Sequence, residues 1–600
     1  MSNIPTSSSS PNVLTFPAGA TAASSKAQFR DDALPSVNMP AGYAADECGI
    51  YELRETKEGD AISAHICSPL VVKGRCKTAG AKGWGRVLEV QDPDGGWHEA
   101  VLSNQQVSGS PNAALPPLFD LGFELEPVAK AAESVMRLLS SWRPGPVYLR
   151  FDRLGWTDDK HDAFVLGNGR VIGNALVTTD SVSEDLMAGF HTKGTLAAWK
   201  ERVAAPCVGN PLMMLAVSHA FTGPLLSVLG QTGGGFHLRG LSSKGKSSIQ
   251  YVATSVWGER SLLQSWDGTP SGFQGVAAVF NDTFLNIEEL HKADPRTVGD
   301  TIYTLADGRG RLRARSNGKL QAPQRWRIPI LSSGEVSLEE HMASAGCKMF
   351  AGQDVRLINL EADSRAEGAF DVLHGSENSK AFAERVDHAC LENYGHAGPI
   401  FVEKVLRAKH KEGNWRAYID SFCRVVGKAA DVSPRDGQVQ RVLKRFALAA
   451  LAGELATQVG LTGWSVNAAR TAAEEMFLTW FEHRDGTTNE EIAKAVQRTK
   501  DYISKHLDRF QTIGTTDHDP VDGWRDQHWF YILPGRWQAI HAEHDPKAMA
   551  RLHADGGLLK TQKGVGYQVR MGRNITTGRP WAYAISAVKL LGAPMASPTT

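Results

Sequence analysis

The stretch Gly240-Leu241-Ser242-Ser243-Lys244-Gly245-Lys246-Ser247, followed by Ser248, carries the residue types of a phosphate cradle. Two glycines let the backbone curl so that its N–H groups converge on an anion, and a helix opening there adds its positive end. Lys246 then sets an ammonium on the β and γ phosphates of ATP, and the Ser247 hydroxyl joins the coordination of Mg²⁺. Phe236-His237-Leu238 before the loop reads as a buried strand, and Ile249, Val252, Ala253 and Val256 after it recur at helical spacing. A glycine-rich turn opening a helix is the alternative.

Such a loop needs a partner carboxylate at the end of a neighbouring strand. Phe284-Leu285-Asn286-Ile287-Glu288-Glu289 answers to that requirement, with Glu288 toward the metal and Glu289 toward the attacking water. Glu288 stands where Asp is commoner, and its extra methylene alters the metal geometry. A second apolar run, Ile328-Pro329-Ile330-Leu331, ends in Ser332-Ser333-Gly334-Glu335, where Ser333 is the candidate to sense the γ-phosphate.

A different chemistry is written in Arg309, Arg311, Arg313 and Arg315, which recur every second residue between the turn signals Asp307-Gly308 and Asn317-Gly318. On a strand they project from one face, and Lys319, Arg325 and Arg327 extend the charge. The chain has a formal net charge of zero, so this is a local basic hairpin in a neutral protein. It suits phosphate contacts with single-stranded or forked DNA, independent of sequence and sensitive to salt. A solvated, edge-protecting strand is the alternative.

These groups must be positioned by several domains, since 600 residues exceed one hydrophobic core. Hydrophobic residues at 42% and charged residues at 22% are globular values. With no apolar run of about 18 residues, no membrane span is expected. Cys48, Cys67, Cys76, Cys207, Cys347, Cys390 and Cys423 form no C-x-x-C pair, which points to reduced thiols and, without a secretory leader pattern, to the cytoplasm. Residues 1–38, rich in Ser, Ala and Pro, read as a disordered tail. Short alternating runs over 39–185 predict a β-rich domain with one helix near 128–142. Helices alternate with apolar strands over 186–365, the signature of an α/β core with a largely parallel sheet. Residues 366–460 read as a helical lid or connector. In 461–600 a helix begins at Asp545-Pro546 and ends at Gly556-Gly557, and Gly564-Val565-Gly566 turns a hairpin, a winged-helix pattern.

Taken together, the phosphate loop, the Leu-Asn-Ile-Glu-Glu strand, Leu331-Ser332-Ser333-Gly334-Glu335 and Phe446-Ala447-Leu448-Ala449-Ala450-Leu451-Ala452-Gly453-Glu454-Leu455 resemble the domain-of-unknown-function-927 family, with Ile66-Cys67-Ser68-Pro69-Leu70 and Phe530-Tyr531-Ile532-Leu533-Pro534 extending the likeness. That family includes helicase-like proteins of prophages and mobile elements, and some members are similar to minichromosome-maintenance helicases. The resemblance implies an AAA+ core with a helical lid and a C-terminal winged helix, a homo-oligomeric, hexameric ring, and a pore hairpin where the basic strand lies. It also implies an arginine acting on a neighbour's ATP, for which Arg356 is the candidate, and a sensor arginine in the lid, Arg441, with Arg445 competing. A remodelling ATPase that does not translocate, or a DNA-binding module with a degenerate ATP site, are the alternative functions.

Overall fold

Alternating apolar and polar residues between 43 and 103 become β1 (Tyr43–Asp46), β2 (Gly49–Glu55), β3 (Ala61–Cys67), β4 (Leu70–Lys77), β5 (Gly85–Gln91) and β6 (Trp97–Ser103). They are followed by β7 (Val147–Arg150), β8 (Gly155–Trp156), β9 (Ala163–Val165), β10 (Val171–Gly173) and β11 (Val177–Thr178). The sheets run β1-β2-β3, β11-β7-β4-β5-β6 and β10-β9-β8. A helix at Ala131–Ser141, inside the predicted 128–142, turns Val135, Leu138 and Leu139 onto Ile50, Leu88 and Trp142. Each such burial contributes about 1.5–3 kcal/mol, giving this region its own core. The computed structural model describes residues 39–591 except 56–60, 79, 81, 179–186, 315–319, 322, 434–435, 516–521, 543–544, 562–565, 573–574 and 576–578. The expected N-terminal tail lies outside the described residues.

The chain is mixed α/β and divides into two units, residues 1–477 and 478–600. The first unit is organised on β12 (Gly234–Arg239), β13 (Gln264–Ser265), β14 (Leu285–Glu288), β17 (Pro329–Gly334) and β18 (Leu357–Glu361), with the ribbon strands β15 (Arg313–Ala314) and β16 (Leu320–Gln321) between β14 and β17 in sequence. The main sheet has the order β13-β14-β17-β12-β18 and every pairing in it is parallel. Its central strands are buried on both faces, which is why they read as apolar runs without alternation. Parallel pairing brings every strand's C-terminal end to one edge, the edge where α/β sheets bind ligands.

Helices packed on this sheet fix its position. Pro211–Ala220 is buried along its whole length, and His219 on it meets Phe236 and Phe284 edge-on while its Nε2 lies 3.1 Å from Ile330 O. Residues 366–460 serve two places. The helix Ser379–Glu392 packs on the helix Lys246–Thr254, whereas Gly437–Gln458 packs on Pro211–Ala220 and sets Phe446 4.8 Å from Phe236.

The β8–β10 sheet joins the main sheet through a buried carboxylate. Asp282 accepts from Trp156 N–H at 3.1 Å and from the Asn281 amide at 2.8 Å, and burial pushes its carboxyl up to about 7. The folded state therefore holds this proton more tightly than the unfolded chain does. Its stabilisation is complete below about pH 4 and is lost as pH rises through about 7, up to about 4 kcal/mol. Asp282→Asn, which mimics the protonated group, is expected to flatten the pH dependence of the first unit's melting across that window, read by calorimetry.

The second unit contains the C-terminal part of the helix Ala468–Lys505 and a five-stranded sheet of β19 (Phe510–Thr512), β20 (Gly523–Arg525), β21 (Trp529–Ile532), β22 (Val569–Arg570) and β23 (Trp581–Ser586). Its order is β19-β20-β21-β23-β22, with β19 parallel to β20 and the rest antiparallel. The helix Pro546–Asp555 begins as expected, with the Asp545 carboxylate accepting from Ala548 N–H at 2.9 Å, and Gly556 caps it. Trp537 and Trp524 are buried, the former with Phe530 and Ile585, as core residues. Gly564 and Val565 of the expected turn lie outside the described residues. Among the described residues no helix is long and apolar enough to cross a membrane.

Candidate nucleotide site

The loop Gly240–Gly245 joins β12 to the helix Lys246–Thr254 at the sheet's C-terminal edge. Gly240 and Gly245 have φ of +158° and +97°. A Cβ on Gly240 would come within 2.9 Å of Asp363 Cγ, and one on Gly245 within 2.5 Å of Phe370 Cζ, so both positions demand glycine. Ser243 also takes a left-handed conformation, φ +59°. The chain thus curls tightly enough to aim backbone N–H groups at an anion ahead of a helix N-terminus. Lys246 Nζ donates to Gly240 O and Leu241 O at 2.6 Å each, and burial lowers its pKa against the opposing pull of Glu335 and Asp363.

The acidic strand is locked to this helix by buried amides. Gln250 Nε2 donates to Asn286 Oδ1 at 2.7 Å, and Asn286 Nδ2 donates to Gln250 O and to Thr254 Oγ1 at 2.9 Å each. These bonds set Glu288, at the end of β14, opposite the loop. Burial, and then the adjacent Glu289, raise the Glu288 pKa. Glu289 sits at φ +64° and pairs with Lys292. A left-handed glutamate is a costly conformation of the kind that gathers at reactive sites. β17 lies between β12 and β14, held by the Ser332 hydroxyl, which meets Trp266 Nε1 at 2.8 Å and His237 Nδ1 at 3.0 Å. That grip delivers Ser333 and Glu335 to the same edge.

Ser242, Ser243, Lys244, Gly245, Lys246, Ser247, Ser248, Glu288, Glu289 and Ser333 line one cleft of about 810 Å³, large enough for a nucleotide. Lys380, Glu384 and Asp387 of the helix Ser379–Glu392 form another wall of it. Burial raises the pKa of Asp387, and Ser248 bonds to it. Among the described residues no group of three His, Cys, Asp or Glu side chains could hold a metal. Mg²⁺ here would rest on Ser247, Glu288 and the nucleotide's own oxygens, a customary arrangement for this ion.

Two predicted residues lie away from this cleft. In the β12/β18 pairing Gly235 faces Leu357 and Arg239 faces Glu361, so Arg356 is at the end of the sheet opposite the loop, about 20 Å away at strand rise. Arg356 stacks over Tyr303 at 3.8 Å and donates to Gly352 O at 2.6 Å. Arg441, expected at the ATP, is beside it, lining a second cleft of about 240 Å³ with Arg445, Lys444 and Asp307. The helix Gly437–Gln458 carries these residues beneath the sheet's N-terminal edge, which removes Arg441 from the cleft that the loop lines. Arg445 donates to Gly233 O at 2.6 Å, and burial, then Arg356, push its pKa down to about 10.

The basic segment folds as an antiparallel ribbon. Arg309 bridges Arg325, Gly310 N–H donates to Gln324 O at 2.9 Å, and Arg313 faces Gln321 in β15–β16, all in one register. Positions 309, 311 and 313 therefore share a side, and Arg309 and Arg311 are exposed. Arg315 and Lys319 lie outside the described residues. Sequence reasoning missed Asp363, the Glu335 contact to the loop, and the Gln250–Asn286 lock. Only the last left a signal, as single polar residues inside an apolar helix and strand.

The fold is similar to that of the solved structure of "SCCmec type IV Cch - active helicase", with a TM-score of 0.66 and 17% sequence identity over 92% of this chain and 99% of that one. No curated protein matches the chain in sequence. Residues 43–325, which contain the glycine loop, the acidic strand and most of the basic ribbon, match the family described as "Domain of unknown function (DUF927)".

Proposed function

We propose that this protein hydrolyses ATP to drive movement along DNA, as a helicase or translocase with an AAA+ core and a C-terminal winged helix, assembled in a hexameric ring and serving replication of a mobile element. The observation that carries the reading is the convergence of Lys246, Ser247, Glu288, Glu289 and Ser333 on one cleft at the C-terminal edge of a parallel sheet. In it the loop N–H groups and Lys246 bind and orient the phosphates, and Glu289 polarises the attacking water. Ser247 and Glu288 would hold Mg²⁺, which would supply charge neutralisation on the phosphates. Arg356, with Arg441 and Arg445, sits too far from its own loop to act there, which favours a role at a neighbour's nucleotide. The exposed arginine ribbon supplies the DNA contact, and the relative described as an active helicase favours the same reading. The test is ATP turnover measured with and without single-stranded and forked DNA. Stimulation by either supports it, and absence of any hydrolysis removes it.

The two acids are separable. Glu289→Gln is expected to slow hydrolysis about 10²–10⁴-fold while nucleotide binding stays near wild type, because the water loses its polarising group but the cradle is intact. Single-turnover hydrolysis alongside ADP titration checks this. Equal loss of binding would assign Glu289 to the cradle instead.

A further inference from the structure

The phosphate loop is already gripped by this chain's own acids. Leu241 N–H donates to Asp363 Oδ2 at 2.8 Å, the Ser242 hydroxyl donates to Glu335 Oε1 at 2.5 Å, and both carboxylates act on Lys246 through their charge. Both donors belong to the loop on which a phosphate would sit. A bound polyphosphate must compete with the carboxylates for them and is also repelled by their charge.

Asp363 opens a strap, residues 363–371, that crosses the loop. Ala369 N–H donates to Lys244 O at 2.9 Å, and Phe370 packs where a side chain on Gly245 would be. Bridges between Arg365 and Gly368 and between Glu367 and Phe370 fold the strap on itself. Its base is fixed by Arg365, which bonds Asp371 at 2.8 Å and pairs with Glu475. The far end of the strap is anchored by the buried Phe370, edge-on to Phe382, and by Asp371 N–H, which donates to Asn210 Oδ1 at 2.7 Å, so the Asp363 contact holds its near end to the loop.

We propose that Asp363 is an internal competitor for nucleotide phosphate, whose displacement from Leu241 on binding loosens the 363–371 strap. The inference rests on the phosphate-loop reading and adds to it how affinity is set and which segment responds. Asp363→Asn separates charge from structure, since the amide oxygen still accepts from Leu241 N–H. Loss of the competing charge is expected to tighten ADP binding about tenfold or more, measured by calorimetry with Mg²⁺ present. Hydrogen exchange in the strap should accelerate when wild type binds ADP. ADP binding that is unchanged or weaker in the variant, or strap amides indifferent to ADP in wild type, overturns the proposal. If neither protein binds ADP, and Lys246→Ala behaves the same, the phosphate-loop reading itself falls and takes the proposal with it.

Discussion

Lys246→Ala is expected to lower ATP turnover by at least about 10²–10³-fold and to weaken nucleotide binding as well. The ammonium is held at the mouth of the loop by two carbonyls at 2.6 Å, within reach of the phosphate position. Removing it deletes a positive charge from a partly desolvated site, where charge counts for more than in water. Turnover at saturating ATP, with ADP affinity measured separately, checks both effects, and wild-type turnover would remove the assignment. The same variant tests assembly. Arg356→Ala subunits should be inactive alone because their neighbours lack the arginine, yet mixing them with Lys246→Ala subunits creates interfaces that join an intact loop to an intact Arg356. Partial recovery of turnover in mixed oligomers is expected. None across a range of ratios, with mixing shown by sizing, would leave Arg356 as the stacking partner of Tyr303 and nothing more.

What could be read in the sequence was what depends on neighbours along the chain. The phosphate loop, its flanking strand and helix, and the acids after β14 announce themselves within a few residues, because their spacing is set by local backbone geometry. The Asp545-Pro546 start and the 128–142 helix were legible for the same reason. Contacts made across the fold were not. Asp363 is 122 residues from the amide it takes, and no local pattern marks it. The helix Gly437–Gln458 is instructive, because Phe446 to Gly453 is apolar on every side, and an all-round apolar helix belongs in a core. Its place beneath the sheet follows from that, and so does the displacement of Arg441 from the loop's cleft. Weighing the strong helix formers alone favours a lid, since propensity says nothing about burial.

Replacing Arg309, Arg311 and Arg313 with Ala should separate ATP hydrolysis from DNA work. The three positions share one side of the ribbon, and Arg309 faces Arg325 directly across it. Like charges opposite one another on paired strands are destabilising, so the ribbon is kept at a cost that an anionic partner would offset. Along a strand, alternate residues are about 6.6–6.8 Å apart, close to the spacing of successive phosphates in an extended single strand. Each arginine that touches a phosphate releases counterions, so losing up to three contacts should flatten the plot of log affinity against log salt by up to about 2 for single-stranded DNA. Basal ATPase should persist, because the ribbon joins β17 at its N-terminal end, at the opposite end of the main sheet from Lys246, Glu288 and Glu289. DNA stimulation and strand separation should fall together. Fluorescence anisotropy across a salt series, run beside an unwinding assay, gives both readouts. A variant that binds with the wild-type salt slope and unwinds at the wild-type rate would return these arginines to the solvated edge of a hairpin, and a non-translocating ATPase would become the better account of the site.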